Sequence, residues 1–300
     1  MPSITIYEVG PRDGLQNEAA LISTADKVAF IDALSDAGLP VVEVSAFVSP
    51  AWVPQMADAE EVCRAIARRP GTRYSALVPN QKGLDRALSA GITDVAVFAA
   101  ASETFSRRNI NQSVADSLAN YERVARQALD AGCRVRAYLS TAFGCPFEGD
   151  VALATVIDLT KALRNLGAYQ VAVSDTIGVA RPGQVRRVLE ALTREVPATE
   201  LALHFHDTRG MALVNVRASL DFGVATFDSS AGGLGGCPYA PGASGNLATE
   251  DLLYMLNGLG YETGVSIDAV AAASSALEPR LGHALSSHYL RARSPRAGHD

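Results

Sequence analysis

A short β-rich run followed by a longer helical pattern recurs eight times along this chain, and strict alternation of that kind admits few folds. Strands are predicted at 3–9, 41–47, 73–78, 93–99, 134–140, 169–174, 200–206 and 224–230. Helices are predicted at 24–37, 55–69, 81–90, 113–131, 150–166, 182–195, 210–222 and 247–258. Several strand runs are almost continuously apolar, as in Asp94-Val95-Ala96-Val97-Phe98-Ala99, the pattern of a parallel sheet covered on both faces. Gly38, Gly91, Gly132, Gly167, Gly223 and Gly258 close helical patterns, where a left-handed residue ends a helix without strain. Alternating strands and helices imply an α/β fold with a parallel sheet, and eight units suffice to close a (β/α)8 TIM barrel. An open doubly wound sheet is the rival that counting does not remove. No Pro-, Ser- or Gly-rich linker divides the 300 residues, so one barrel domain over 1–300 is expected. An additional C-terminal helical segment is expected at 267–290, with Arg293 to Asp300 frayed.

The formal net charge of −6 is spread along the chain, which argues against nucleic acid and anionic membranes as partners. Cys63, Cys133, Cys145 and Cys237 are far apart, so neither a disulfide framework nor a cysteine zinc site is expected. The first residues run directly into a strand, and no apolar run is long enough to span a bilayer. A cytoplasmic protein is expected.

Polar residues collect where the predicted strands end. Gly10-Pro11-Arg12-Asp13-Gly14 follows the first, Glu43 lies within the second, Ser174-Asp175-Thr176 ends the sixth, and His204-Phe205-His206-Asp207 ends the seventh. A glycine-rich loop at 232–246 follows the eighth and carries Cys237, and Asn246 and Glu250 open the next helix. In a (β/α)8 barrel all of these ends share one face, where active sites are built. Two histidines two residues apart on a strand point the same way, and Asp13 and Asn246 can add oxygen donors. Two nitrogens and two oxygens leave about two positions on a six-coordinate ion, room for a substrate chelating through a hydroxyl and a carboxylate. Mg2+ or Mn2+ fits that set. Arg12 offers a permanent cation where an enolate oxygen would develop. Six glycines and two prolines give 232–246 the composition of an active-site loop rather than of a helix or strand, and a thiol there can move a proton once water is excluded.

Each signal also has an ordinary reading. A His-x-His pair can face solvent, and an aspartate after a strand can cap a helix. Arg12 can pair with Glu43 or Asp175, Glu250 can lie on a helix surface, and Cys237 can be an apolar filler. Two histidines and a carboxylate also suit a non-haem iron oxygenase. Placement at one end of one barrel is what favours the catalytic reading.

At these residues the chain resembles the 3-hydroxy-3-methylglutaryl-CoA lyase family, among barrel metallolyases that share an Arg-Asp-Gly motif. The resemblance runs from about Tyr7 to Ser287. It is most specific in Glu8 to Glu18, in Phe47-Val48-Ser49-Pro50, in Trp52 to Met56, and in Gly233 to Asp251. It implies that Asp13, His204, His206 and Asn246 bind a divalent cation, and that Arg12 stabilises the enolate of the departing acetyl-CoA. It implies Cys237 as a proton donor or acceptor, with Glu43, Asp175 and Glu250 in further acid/base or supporting roles. The implied reaction is retro-Claisen cleavage of a CoA-thioester substrate to acetyl-CoA and acetoacetate, by a homodimer. Five positions depart from the family pattern: Ala19, Ala46, Ala172, Ser174 and His283. They bear on the acyl group and on the grip on CoA rather than on the metal ligands. Claisen-condensing relatives share the barrel and the histidines, but carry Arg-Asp-Gly-Glu-Gln where this chain has Arg12-Asp13-Gly14-Leu15-Gln16. A metal-binding scaffold without catalysis would be expected to lack Arg12, Asp175 and Cys237, and all three are present.

Overall fold

The structure is a computed structural model and describes residues 3–235 and 245–293. Its strands are β1 (Thr5–Glu8), β2 (Val41–Ala46), β3 (Arg73–Leu77), β4 (Asp94–Ala100), β5 (Arg134–Ser140), β6 (Gln170–Asp175), β7 (Leu201–Phe205) and β8 (Thr226–Ser229). They pair in parallel in chain order, and β8 pairs back onto β1 with Tyr7 opposite Asp228. That last pairing closes the barrel and removes the open-sheet alternative.

The helices are α1 (Thr24–Asp36), α2 (Ala59–Ala65), α3 (Gln81–Ser89), α4 (Glu103–Ile110), α5 (Val114–Asp130), α6 (Leu153–Asn165), α7 (Pro182–Leu192), α8 (Ala212–Leu220), α9 (Thr249–Gly258), α10 (Ile267–Leu281) and α11 (His288–Arg293). Ser23, Asn80, Ser102, Ser113 and Ser266 each accept the amide three residues on, which satisfies one of the free donors at a helix start. Apolar side chains of the strands and of the inner helix faces are buried between the two layers, among them Val42, Val44, Val95, Val97, Leu139, Val171, Val173 and Leu203.

Three local expectations differ from the structure. The helix expected over 55–69 is a single 3-10 turn at Pro54–Met56 followed by the short α2, and Ile66 is already extended. Pro70 disfavours helical backbone at Arg69, whose amide instead donates to the Tyr74 hydroxyl at 2.9 Å. Helix α4 lies where a loop was expected. It is mostly polar, and Asn111 stops it in the left-handed conformation (φ 55°). Gly258 is the last residue of α9, and the left-handed residue after it is Gly260 (φ 79°). The expected C-terminal segment is present as α10 and α11, and the expected fraying of the last residues lies outside the described residues from 294 onward.

Two irregularities shape the mouth of the barrel. Residues Gly10–Gly14 form a π-helical turn in which the amides of Arg12, Asp13 and Gly14 all converge on the Val9 carbonyl. Strand β2 slips register between Glu43 and Ser45, a bulge of the kind that re-aims a side chain beside an active site.

Candidate active site

The interior of the barrel is polar, which is unusual for a parallel barrel core. Arg136 on β5 and Asp228 on β8 are not on neighbouring strands, so their contact crosses the inside of the barrel. Arg136 Nη2 and Nη1 donate to Asp228 Oδ1 and Oδ2 at 2.6 and 3.1 Å, and neither residue reaches solvent. Because side chains alternate along a strand, Tyr138 shares the inward face with Arg136. The Tyr138 hydroxyl donates to Glu43 Oε1 at 3.2 Å, and its ring lies 5.3 Å from the Arg12 guanidinium.

At the mouth, Arg12 is buried between two carboxylates. Its Nε donates to Glu43 Oε2 at 2.5 Å, and its Nη1 pairs with Asp13 Oδ1. The bulge in β2 and the π turn after β1 bring these groups face to face. Burial pushes the Glu43 carboxyl up, opposed by Arg12. For Asp13, burial pushes up as well, but Arg12, His204 and His206 together hold it well below the usual carboxylate range.

His204 Nε2 and His206 Nε2 each lie 3.9 Å from Asp13 Oδ2, and these ligand atoms are all within 4.8 Å of one another. Burial, reinforced by His204, lowers His206 to about 4, so its imidazole is neutral at physiological pH, with a lone pair to donate. Asn246 joins them through a bridge between its backbone and that of His206. Its Nδ2 donates to Asp13 Oδ2 at 3.0 Å and to the Leu234 carbonyl at 3.1 Å, which leaves Oδ1 buried with no partner. An orphaned buried acceptor beside two imidazoles and a carboxylate is what a bound cation would satisfy, so the residues fit a divalent metal.

Asp175 ends β6, where Oδ1 and Oδ2 accept the amides of Val179 and Ala180 at 2.9 and 3.0 Å, and burial raises its carboxyl to about 6. Glu250 does not meet the histidines. Its carboxylate holds the Gly232 amide at 2.9 and 3.0 Å and accepts the Ser274 hydroxyl at 2.6 Å. Glu8 does the same one residue earlier: Oε1 accepts the amides of Ala231 and Gly10, and Oε2 accepts the Thr249 hydroxyl. Cys237 lies outside the described residues, as does most of the glycine-rich loop.

A cavity of about 450 Å³ opens over this cluster. Arg12, Asp13, His204 and His206 line one side, and Ser140, Ser174 and Thr176 lie on strand ends beside them. Leu77, Phe98, Phe105, Ile110 and Tyr121 give it an apolar wall. Of the departures from the family pattern, Ser174 lines the cavity, Ala46 and Ala172 are fully buried, and His283 pairs with Glu18 at 2.7 Å. Arg136, Asp228, Tyr138 and Glu8 were not anticipated. The signal available for the first two was the one that marked Glu43, a charge in the middle of a strand.

Residues 3–277 match the family described as HMGL-like. A 3-hydroxy-3-isohexenylglutaryl-CoA/hydroxymethylglutaryl-CoA lyase of Pseudomonas aeruginosa is 52% identical over 289 residues, 96% of each chain. The crystal structure of the HMG-CoA lyase of Bacillus subtilis superposes with a TM-score of 0.96 at 49% identity, covering 97% of this chain and 99% of that one. An HMG-CoA lyase from Acinetobacter baumannii in complex with coenzyme A and 3-methylmalate superposes with a TM-score of 0.93 at 37% identity, covering 99% of this chain and 97% of that one. Matched over most of its length and overlain by lyases of about half-identical sequence, the chain belongs to the HMGL-like family, with the hydroxymethylglutaryl-CoA lyases, which are carbon–carbon lyases.

Proposed function

We propose that this chain cleaves 3-hydroxy-3-methylglutaryl-CoA to acetyl-CoA and acetoacetate with a divalent cation, Mg2+ or Mn2+, held by Asp13, His204, His206 and Asn246. The observation that carries the reading is the meeting of those side chains beside Arg12, with Asn246 Oδ1 left unsatisfied. Hard oxygen donors with two imidazoles suit those ions, and a bound ion supplies Lewis-acid polarisation of a substrate hydroxyl.

The chain's own groups account for the rest. A base at the cavity takes the proton of the tertiary hydroxyl. Asp175 is assigned a supporting role, since its two oxygens hold the amides of Val179 and Ala180 and the neighbouring Ser174 is the β6 residue that lines the cavity. As that alkoxide collapses to the ketone, the C2–C3 bond breaks and its electron pair passes onto the thioester oxygen. Arg12, fixed by Glu43 and covered by Tyr138, faces the cavity with a permanent charge that stabilises this enolate. Cys237 is assigned to protonate the enolate carbon, which releases acetyl-CoA. Glu250 and Glu8 hold the backbone at the start of the loop that carries it. The CoA thioester is assigned to the cavity, in keeping with the coenzyme A in the Acinetobacter baumannii complex. We read the chain as one barrel domain acting in the cytoplasm. Among the described residues no helix is long and apolar enough to cross a membrane, and the homodimer rests on the family resemblance alone.

The apolar wall favours a second, compatible substrate. A C3 substituent longer than methyl can lie along Leu77, Phe98 and Phe105, and the Pseudomonas aeruginosa relative is named for an isohexenyl thioester. Both readings are tested by offering the Mn2+-loaded protein 3-hydroxy-3-methylglutaryl-CoA and its 3-isohexenyl analogue. Acetyl-CoA and acetoacetate in equal amounts are expected from the first. Cleavage of neither thioester would overturn the assignment.

A further inference from the structure

Asp228 and Arg136 stand out because a buried ion pair is a poor way to stabilise a barrel. Removing two charges from water costs several kcal/mol each, and an apolar pair of similar volume is often as stable or more so. Yet the pair is fully buried and well built. The Arg136 guanidinium stacks 3.8 Å from the Tyr7 ring centroid and 4.9 Å from that of Tyr138, and its Nε reaches Gln170 Oε1 at 3.3 Å. Gln170 Nε2 is in turn held by Thr226 Oγ1 at 3.0 Å. The group that gains from this arrangement is His204. Its Nδ1 lies 3.3 Å from Asp228 Oδ2, the oxygen that also accepts Arg136 Nη1, while its Nε2 faces Asp13.

We propose that Asp228, locked by Arg136, is a positioning residue that sets the tautomer and rotation of His204, so that Nε2 meets the cation with its lone pair free. The inference rests on His204 being a metal ligand, as read above. A carboxylate gripped by both nitrogens of a guanidinium can only accept. An imidazole nitrogen facing it must therefore carry the proton, because the other tautomer would set a lone pair against a carboxylate oxygen. The proton on Nδ1 leaves Nε2 unprotonated, and the fixed hydrogen bond holds the ring plane toward Asp13. Such partners of ligating histidines tune metal affinity by about 10–100-fold. His206 has no equivalent device: its Nδ1 is buried without a partner among the described residues, so only His204 is pre-set before metal arrives.

The direct test is 15N NMR of the metal-free wild-type protein at neutral pH, with the His204 ring assigned by its loss in His204→Asn. The proposal predicts the Nδ1–H tautomer for His204, and the Nε2–H tautomer would overturn it. This readout does not require metal binding, so it separates the inference from the metal-site reading. The second test is Mn2+ affinity. Arg136→Met/Asp228→Leu removes both charges together and leaves no unpaired ion in the core. It is expected to weaken Mn2+ binding by about 10–100-fold. Arg136→Met/Asp228→Asn restores a neutral acceptor and is expected to recover most of that loss. Affinity unchanged in the folded Leu variant would overturn the proposal. Failure of the variants to fold leaves the wild-type tautomer to decide.

Discussion

Arg12 is the side chain on which the chemistry and the electrostatics of the mouth meet. It neutralises Glu43 and Asp13 in the resting protein and still faces the cavity. Arg12→Gln keeps most of the volume and removes the charge. It is expected to lower kcat by about 10²–10³-fold, the usual effect of losing one donor to a developing oxyanion, with little change in Mn2+ affinity. A parallel loss of metal would give Arg12 a structural role instead. The meeting of Asp13, His204, His206, Asn246 and Arg12 at one end of the barrel was legible in the sequence, because polar residues at successive strand ends are out of place unless a barrel collects them. Tyr138, Arg136 and Asp228 were not. They lie inside strands, and a sequence does not say which strand a buried charge will face across the barrel. The ordinary reading of Arg12 as a partner of Glu43 is also correct, since the same ion pair aims the guanidinium.

The described start of the glycine-rich loop and its anchor show how elements serve the site. Gly235 has φ +105°, and a Cβ there would come within 2.7 Å of Asn246 Nδ2 and 3.2 Å of the Asp13 carbonyl. Gly235→Ala therefore combines backbone strain of about 1–3 kcal/mol with displacement of a proposed ligand. It is expected to weaken Mn2+ binding at least tenfold while the barrel stays folded, and unaltered affinity by calorimetry would contradict that. The anchor before the loop has its own signature. Burial raises Glu8 from 4.5 to about 7 against the pull of Thr249, Ala231 and Gly10. An acid whose folded value lies above its unfolded value favours the folded state when protonated. Its contribution is present below about pH 4.5 and lost as pH rises to about 7. Thermal melts of Glu8→Gln and wild type from pH 5 to pH 8 should show the variant gaining relative stability over that window. A difference that is flat with pH would contradict it. At this scale the sequence was legible in the glycines that close its helices, Gly38, Gly91, Gly132, Gly167 and Gly223, all left-handed, and less so in α2 and α4, where proline and left-handed asparagine override periodicity.

On the scale of the whole molecule, barrel closure does the work that sequence spacing cannot. Asn246 and Asp13 hydrogen-bond across 233 residues of chain because β8 returns to β1. Eight strand–helix units could be counted in the sequence, but the register that closes them, Tyr7 against Asp228 and Glu8 against Ser229, is a property of the folded sheet. That register sets Asp228 on β8 beside Tyr7 on β1, in reach of His204 on the neighbouring strand, and so joins the proposed metal site to the barrel interior. The central claim is that one divalent ion held at this junction is needed for carbon–carbon cleavage. It is tested most directly by stripping the protein with EDTA and titrating Mn2+ back while acetyl-CoA release from 3-hydroxy-3-methylglutaryl-CoA is measured. The expected result is no release from the stripped protein, and a linear return of activity that saturates at about one ion per chain. Undiminished release after exhaustive chelation would contradict it.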